Sequence, residues 1–317
     1  MRLTVWAPDG APEVRAGDDL ADVLLPLTAG APLAEGDVVV VTSKVVSKAE
    51  GQVVRGDREG ALAGETARLV ARRGGTSIVR TRHGLTMAAA GIDASNVEAG
   101  HIVLLPRDPD ASARRLRTRL RAATGLNVAV VITDSAGRAW REGQTDIAVG
   151  AAGFPVLIDH RGLVDAYGNE LAVTAPAVGD EIAGAAELVQ GKLGGRPFAL
   201  VRGLGDWVLP PHEDGPGAAA LVRAEAGDLF GYGAREAVAR ALGGDPLDRG
   251  GFGAPATREE VVDLLVRVVG EAAVMVVGPE LIEAADDQRV AALLFACGWE
   301  EAGGESGVRR RWRPASP

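Results

Sequence analysis

Apolar residues fall along this chain in two textures. At 37–42 (DVVVVT) and again at 128–133 (VAVVIT) they run without interruption and are mostly β-branched, the pattern of a strand buried on both faces. Shorter runs predict strands at 77–81, 102–105, 155–159 and 197–202, and one more within residues 1–17. Elsewhere the apolar positions recur at helical spacing, over 18–27, 59–73, 109–123 and 177–192. The first of these helices opens with acidic residues, where the helix dipole favours them, and the second stops at Gly74-Gly75. The last carries Asp180 and Glu181 in its first turn, which suits capping and metal ligation equally well, and Gly191 at its end. Strands and helices interleaved in this way predict a mixed α/β fold.

The stretch 209–217 (LPPHEDGPG) has the composition of a linker. It separates a core, residues 1–208, from a small α/β appendage, residues 218–317. In the appendage, helices over 218–243, 257–270 and 279–297 are expected to surround one strand at 273–278 (AVMVVG).

Composition narrows the picture. A chain of 317 residues, 47% of them hydrophobic, is long enough for two domains or three and for a sizeable core. A net charge of −9 argues against a general nucleic-acid binder. The basic run at 309–313 (RRRWR) reads as a solvated tail. The single cysteine, Cys297, rules out an internal disulfide framework, and its apolar surroundings (VAALLFACGW) make it an inert, buried thiol. The N-terminal stretch has no long apolar segment, and no run of about eighteen apolar residues follows, so a soluble cytoplasmic protein is expected.

Candidate chemistry collects at 128–150 (VAVVITDSAGRAWREGQTDIAVG). Asp134 and Ser135 stand where the buried strand would end, followed by Gly137 and then by Arg138 and Arg141. Oxygen ligands can hold a hard cation there, and guanidiniums can clamp phosphate or carboxylate. A strand-turn-strand bearing a surface charge cluster fits the same residues. Past the other buried strand, Ser43, Lys44, Ser47 and Lys48 could hold a phosphate chain, although the glycine pattern of a Walker A loop is absent. In HGLTMAAAGIDASNV (83–97), small residues surround Asp93 and Asn96 and permit close approach of a ligand or a second backbone. His83 reads as structural. The arginines of 109–123 read as a solvated helix face.

Five stretches in order give a more specific signal. GAPEVRAGDDLADVL, GDVVVVTSKVVSKAEGQVV, HGLTMAAAGIDASNV, VVITDSAGRAWREGQTDIAVGAAG and AVGDEIAGAAELVQGK together resemble the coenzyme F420-0:L-glutamate ligases, across roughly residues 3–208. The resemblance implies a two-lobed α/β homodimer that adds L-glutamate to the lactyl carboxylate of a deazaflavin coenzyme precursor. Activation would proceed through an acyl phosphate, converting GTP to GDP and phosphate, and further glutamates could follow by γ-linkage. It also implies Mg²⁺ or Mn²⁺, two ions, and a monovalent ion such as K⁺. Carried over by position, Asp93 and Asp134 would bind the first divalent ion and Ser135 would help bind the second; Gln190, also a metal contact, falls with the helix end at 190–192 where the family closes around metal and phosphate. Gly10, Ala11, Pro12, Glu13, Ser43, Lys48, Asn96 and Gly191 would contact the nucleotide. Lys44, Lys48, Arg138 and Arg141 would clamp phosphates and carboxylates. Ser135 replaces the family's usual threonine and keeps its hydroxyl; Ala136 replaces a usual aromatic and opens space beside it. Some actinobacterial relatives carry a flavin-binding reductase domain after the ligase. The hundred or so residues here are too few for one, so no flavin is expected. The alternatives are a non-catalytic binder of the deazaflavin coenzyme and an amide ligase with a different acceptor.

Overall fold

Residues 2–224, 228, 230–303 and 308–315 are described by a computed structural model. The chain divides into one unit of Met1–Leu69 with Gly74–Val222 and another of Val70–Arg73 with Arg223–Pro317.

The first unit holds the strands β1 (Thr4–Trp6), β2 (Val38–Thr42), β3 (Val53–Arg55), β5 (Thr76–Thr81), β6 (Thr86–Ala88), β7 (His101–Val103), β8 (Ala129–Gly137), β9 (Gln144–Ala152) and β10 (Phe198–Arg202), while β4 (Thr66–Arg73) crosses the boundary. Its helices are α1 (Leu20–Leu27), α2 (Ser43–Ala49), α3 (Arg58–Glu65), α4 (Pro109–Thr124) and α5 (Val178–Gln190). The main sheet has the order β1-β10-β2-β8-β9, with β2 and β8 parallel and the other pairs antiparallel. The two uninterrupted apolar runs are these two central strands. Val39, Val41, Val130 and Ile132 pack with Leu24 of α1 and Leu116 and Leu120 of α4. Val38, Val40, Ala129 and Val131 pack with Ile182 and Ala186 of α5. Both faces are therefore covered, and this is why neither strand shows polar alternation.

Several expectations are corrected. Residues 59–73 are not one helix: α3 ends at Glu65, and β4 follows with an alternating burial pattern that Gly74-Gly75 turns back into β5. Residues 155–159 form no strand, and Pro155 has no N–H to give a ladder. The strand at 128–133 runs on to Gly137 as half of a hairpin with β9, so Asp134 and Ser135 lie within it. The arginines of α4 are not all solvated. Arg117 is 4% exposed and donates to the carbonyls of Leu209, Pro210, Glu213 and Val128, to Asn127 Oδ1 and to Asp214. The stretch 209–217 is thereby fastened inside the first unit.

The second unit holds α6 (Ala234–Gly243), α7 (Arg258–Val269), β11 (Val274–Gly278), β12 (Leu281–Ala285), α8 (Gln288–Ala296), β13 (Trp299–Glu301) and β14 (Arg309–Pro314). Its sheet has the order β11-β12-β14-β13, where one strand was expected. The span 279–297 is a strand followed by a helix. The basic run is β14: Trp312 turns into the core, while Arg310, Arg311 and Arg313 pair with Asp286 and Glu301, Glu283, and Glu300. The single aromatic among arginines was the signal for it, one side chain turned inward from a charged strand. Cys297 caps α8, and burial pushes its thiol pKa up.

Candidate active site

Parallel pairing of β2 with β8 ends at Thr42↔Thr133. Past that point the two chains separate, β2 into α2 at Ser43 and β8 into its hairpin at Asp134. A crevice at the carboxyl ends of parallel strands is where α/β sheets bind ligands, and most of the expected site residues converge there.

Ser43 donates to Asp134 Oδ1 at 3.2 Å. Asp134 is only part-buried at its surface yet closely surrounded by protein. Burial, the charge of Asp146 and that of Asp93 outweigh the Ser43 and Ser135 hydrogen bonds and push its carboxyl up to about 7. Asp93 is brought in by a bridge to β7, with two backbone hydrogen bonds to Val103. Its carboxylate accepts Lys44 Nζ at 2.7 Å and the Ser95 backbone N–H at 2.8 Å. Burial alone would raise Asp93; Lys44 and Ser95 outweigh it and hold the group at about 2.

The approach to Asp93 is unusual backbone. Ala89, Ala90 and Gly91 all have φ between 49° and 71°, a left-handed region that residues carrying a Cβ rarely enter. A Cβ on Gly91 would lie 3.2 Å from Asp134 Oδ2 and 3.0 Å from Leu105. The small-residue run thus lets this turn lie against Asp134. Gly91→Ala is expected to lower stability by about 1–2 kcal/mol, from left-handed strain alone, and to weaken divalent-cation binding by displacing the carboxylate. Urea unfolding and Mn²⁺ titration check both effects.

Lys48 is 6% exposed and ties two expected nucleotide segments together. It donates to Glu13 Oε1 at 2.5 Å and to the Asn96 carbonyl at 2.7 Å. Gly10, at φ 83°, begins the turn that continues through Ala11 and Pro12 to Glu13, and Asn96 itself stands at φ 56°.

The end of α5 closes on the hairpin from another side. Lys192 Nζ lies 3.5 Å from Ser135 Oγ, and the Asp146 charge, after burial, pushes the Glu187 carboxyl up. Between them in sequence, Gln190 is 1% exposed, with neither amide atom partnered. Gly191, at φ 62°, ends the helix. Asp180 instead accepts the Ala148 N–H at 2.9 Å and fastens α5 to β9.

The two expected arginine clamps stand apart from this group. Arg138 donates to the Glu142 carbonyl in the β8–β9 turn, and Arg141 is exposed in the same turn. Among the described residues no hydrogen bond or ion pair joins either to Asp93 or Asp134. Conversely, the sequence alone assigns Asp146 no role. It is 4% exposed and accepts from Thr133 Oγ1 and Ser135 Oγ. The Ser135↔Asp146 register that places it follows from hairpin closure, a long-range fact.

Among the described residues no three histidine, cysteine or carboxylate side chains form a metal cluster by themselves. Mg²⁺ does not require one. It is commonly held by one or two carboxylates plus substrate phosphates and waters. Asp93 and Asp134, near enough for their charges to act on one another, and the Ser43 and Ser135 hydroxyls make a hard-oxygen set of that kind.

Residues 10–67 and 60–203 match the family described as F420-0:Gamma-glutamyl ligase. The chain is 42% identical over 239 residues to the coenzyme F420:L-glutamate ligase of Methanopyrus kandleri, an alignment spanning 69% of this chain and 93% of that protein. It is 39% identical over 227 residues to the same-named protein of Methanothermobacter thermautotrophicus, with 64% and 90% covered. To that of Archaeoglobus fulgidus it is 39% identical over 226 residues, with 64% and 89% covered.

Proposed function

We propose, from the plain fact that this chain belongs to the F420-0:gamma-glutamyl ligase family, that it joins L-glutamate to coenzyme F420-0 in a reaction driven by GTP and dependent on a divalent cation. The observation that carries this reading is the convergence of Asp93 and Asp134 beyond the parallel strands, with Lys44 and Lys48 beside them.

Joining a carboxylate to an amine requires the carboxylate to be activated. Its oxygen would attack the γ-phosphorus of GTP, releasing GDP and leaving an acyl phosphate. The glutamate amine would then attack the acyl carbon, losing a proton as phosphate departs. Such phosphoryl transfer depends on positioning and charge neutralisation. Asp93 and Asp134 would hold one Mg²⁺ or Mn²⁺ ion, and Ser135 and Gln190 a second; the ions supply charge neutralisation when bound. K⁺ belongs to the same reading. Lys44, already paired with Asp93, would exchange that carboxylate for phosphate, and Lys48 would hold the 10–13 turn and Asn96 around the nucleotide. In this reading further glutamates can be added by γ-linkage. Formation of GDP and phosphate that requires acceptor, L-glutamate and GTP together tests it; equal turnover without an acceptor would overturn it.

The exposed apolar residues of segment 157–176 support a homodimer. Leu163, Val164, Tyr167 and Val173 are 55%, 67%, 92% and 86% exposed, and such surface on a folded protein commonly marks an interface. A dimer mass in light scattering at micromolar concentration is expected, and a monomer mass would contradict it. No helix among the described residues is long and apolar enough to cross a membrane, and the reading places the reaction in the cytoplasm. It assigns no flavin to the second unit.

A further inference from the structure

A hydroxyl that ligates a cation must aim a lone pair at the ion and send its proton elsewhere. Ser135 is unbranched at Cβ, so its Oγ has three staggered positions and the hydroxyl hydrogen a further rotation. Asp146, directly opposite in the β8–β9 register, removes that freedom. Its Oδ1 accepts from Ser135 Oγ at 2.8 Å, and its Oδ2 accepts from Thr133 Oγ1 at 3.0 Å. The carboxylate is held from both sides in a buried position, where a lost partner is expensive. The outward side of Ser135 Oγ meets the Lys192 ammonium at 3.5 Å. Its lone pairs are therefore already presented to positive charge.

We propose that Asp146 is the positioning residue of this centre: by accepting the Ser135 hydroxyl proton it fixes Ser135 Oγ as a lone-pair donor to a divalent cation. The proposal rests on the reading of Ser135 as a ligand. With both oxygens engaged by hydroxyl donors, Asp146 is poorly placed to act as a base, and its part is orientation. Partners of this kind commonly change metal affinity 10–100-fold when removed.

The test is Mn²⁺ alone, titrated into the full chain and followed by electron paramagnetic resonance. Ser135→Ala, Asp146→Leu and the double variant are compared with wild type, and thermal midpoints establish that each is folded. Leucine is close to aspartate in size and has no acceptor for the Ser135 hydroxyl. Asp146→Leu is expected to weaken one Mn²⁺ site by about 10–100-fold, and the double variant to bind no worse than Ser135→Ala, because the two residues act as one unit. If Ser135→Ala weakens Mn²⁺ while Asp146→Leu leaves it unchanged, or if the two losses add, the positioning role is overturned. If Ser135→Ala binds as wild type does, the ligand reading beneath it fails instead. Should Asp146→Leu not fold, Thr133→Val frees the carboxylate without touching Ser135. A several-fold loss at the same site is then expected, and unchanged affinity overturns the proposal.

Discussion

Asp134→Asn is expected to lower kcat/KM for glutamate addition by on the order of 10³-fold, the several kcal/mol of charge stabilisation a bound cation supplies. It should leave the folded protein at least as stable as wild type. The two effects separate because the carboxylate is poorly solvated. Burial and the neighbouring Asp146 and Asp93 charges push it up to about 7, from an ordinary 3.8. The sign follows from proton counting. Between pH 3.8 and 7 the folded state binds a proton at this position that the unfolded chain has already released, so stability falls as pH rises through that window. Asparagine carries no charge and still accepts from Ser43. Thermal melts in EDTA should therefore show wild type losing a few degrees more than Asp134→Asn between pH 5 and 8. Parallel pH curves for the two proteins would show that no such strain exists. The trade of stability for function is a common property of catalytic carboxylates.

Arg117→Ala carries the largest expected effect on stability, a loss of about 3–5 kcal/mol. One nearly buried guanidinium satisfies four backbone carbonyls and the side chains of Asn127 and Asp214. Truncation strands most of those acceptors and leaves Asp214 without its partner. The stretch 209–214 is also tied through Leu209 N–H to Gly153 O and Gly153 N–H to Asp214 O. A side chain at Gly153 would fall directly on the Arg117 guanidinium. Arg117→Lys should recover little of the loss, since an ammonium cannot reproduce the planar fork. Urea unfolding measures the loss, and limited proteolysis should show new cleavage at 209–214. A midpoint within error of wild type would mean the latch contributes nothing.

Legibility in the sequence followed how local each feature is. The central strands were readable because burial on both faces leaves an unbroken β-branched run. α4 was readable from its period, and α5 from its period and the glycine at its end. The carboxylates and lysines of the site were readable because they sit where strands feed into turns, and the family resemblance placed Asp93, Asp134 and Gln190 within one centre. What escaped was set by pairing across distance. β4 looked helical because TARLVARR is equally regular at either period until β5 folds back upon it. β14 looked like a tail because only its partners' acids neutralise its arginines. Arg117 looked like one solvated arginine among several, since three of the four carbonyls it serves lie more than ninety residues away. Asp146 is plain in the sequence, but its role depends on a hairpin register that no local pattern fixes.

The assignment as a glutamate ligase is tested most directly by mass spectrometry of F420-0 incubated with the protein, L-glutamate, GTP and Mn²⁺, with and without EDTA. A gain of one or more glutamyl units, matched by GDP, abolished by EDTA and lost in Asp134→Asn, is the expected result. An unchanged acceptor mass with the folded wild-type protein, whatever nucleotide or divalent ion is supplied, would contradict it.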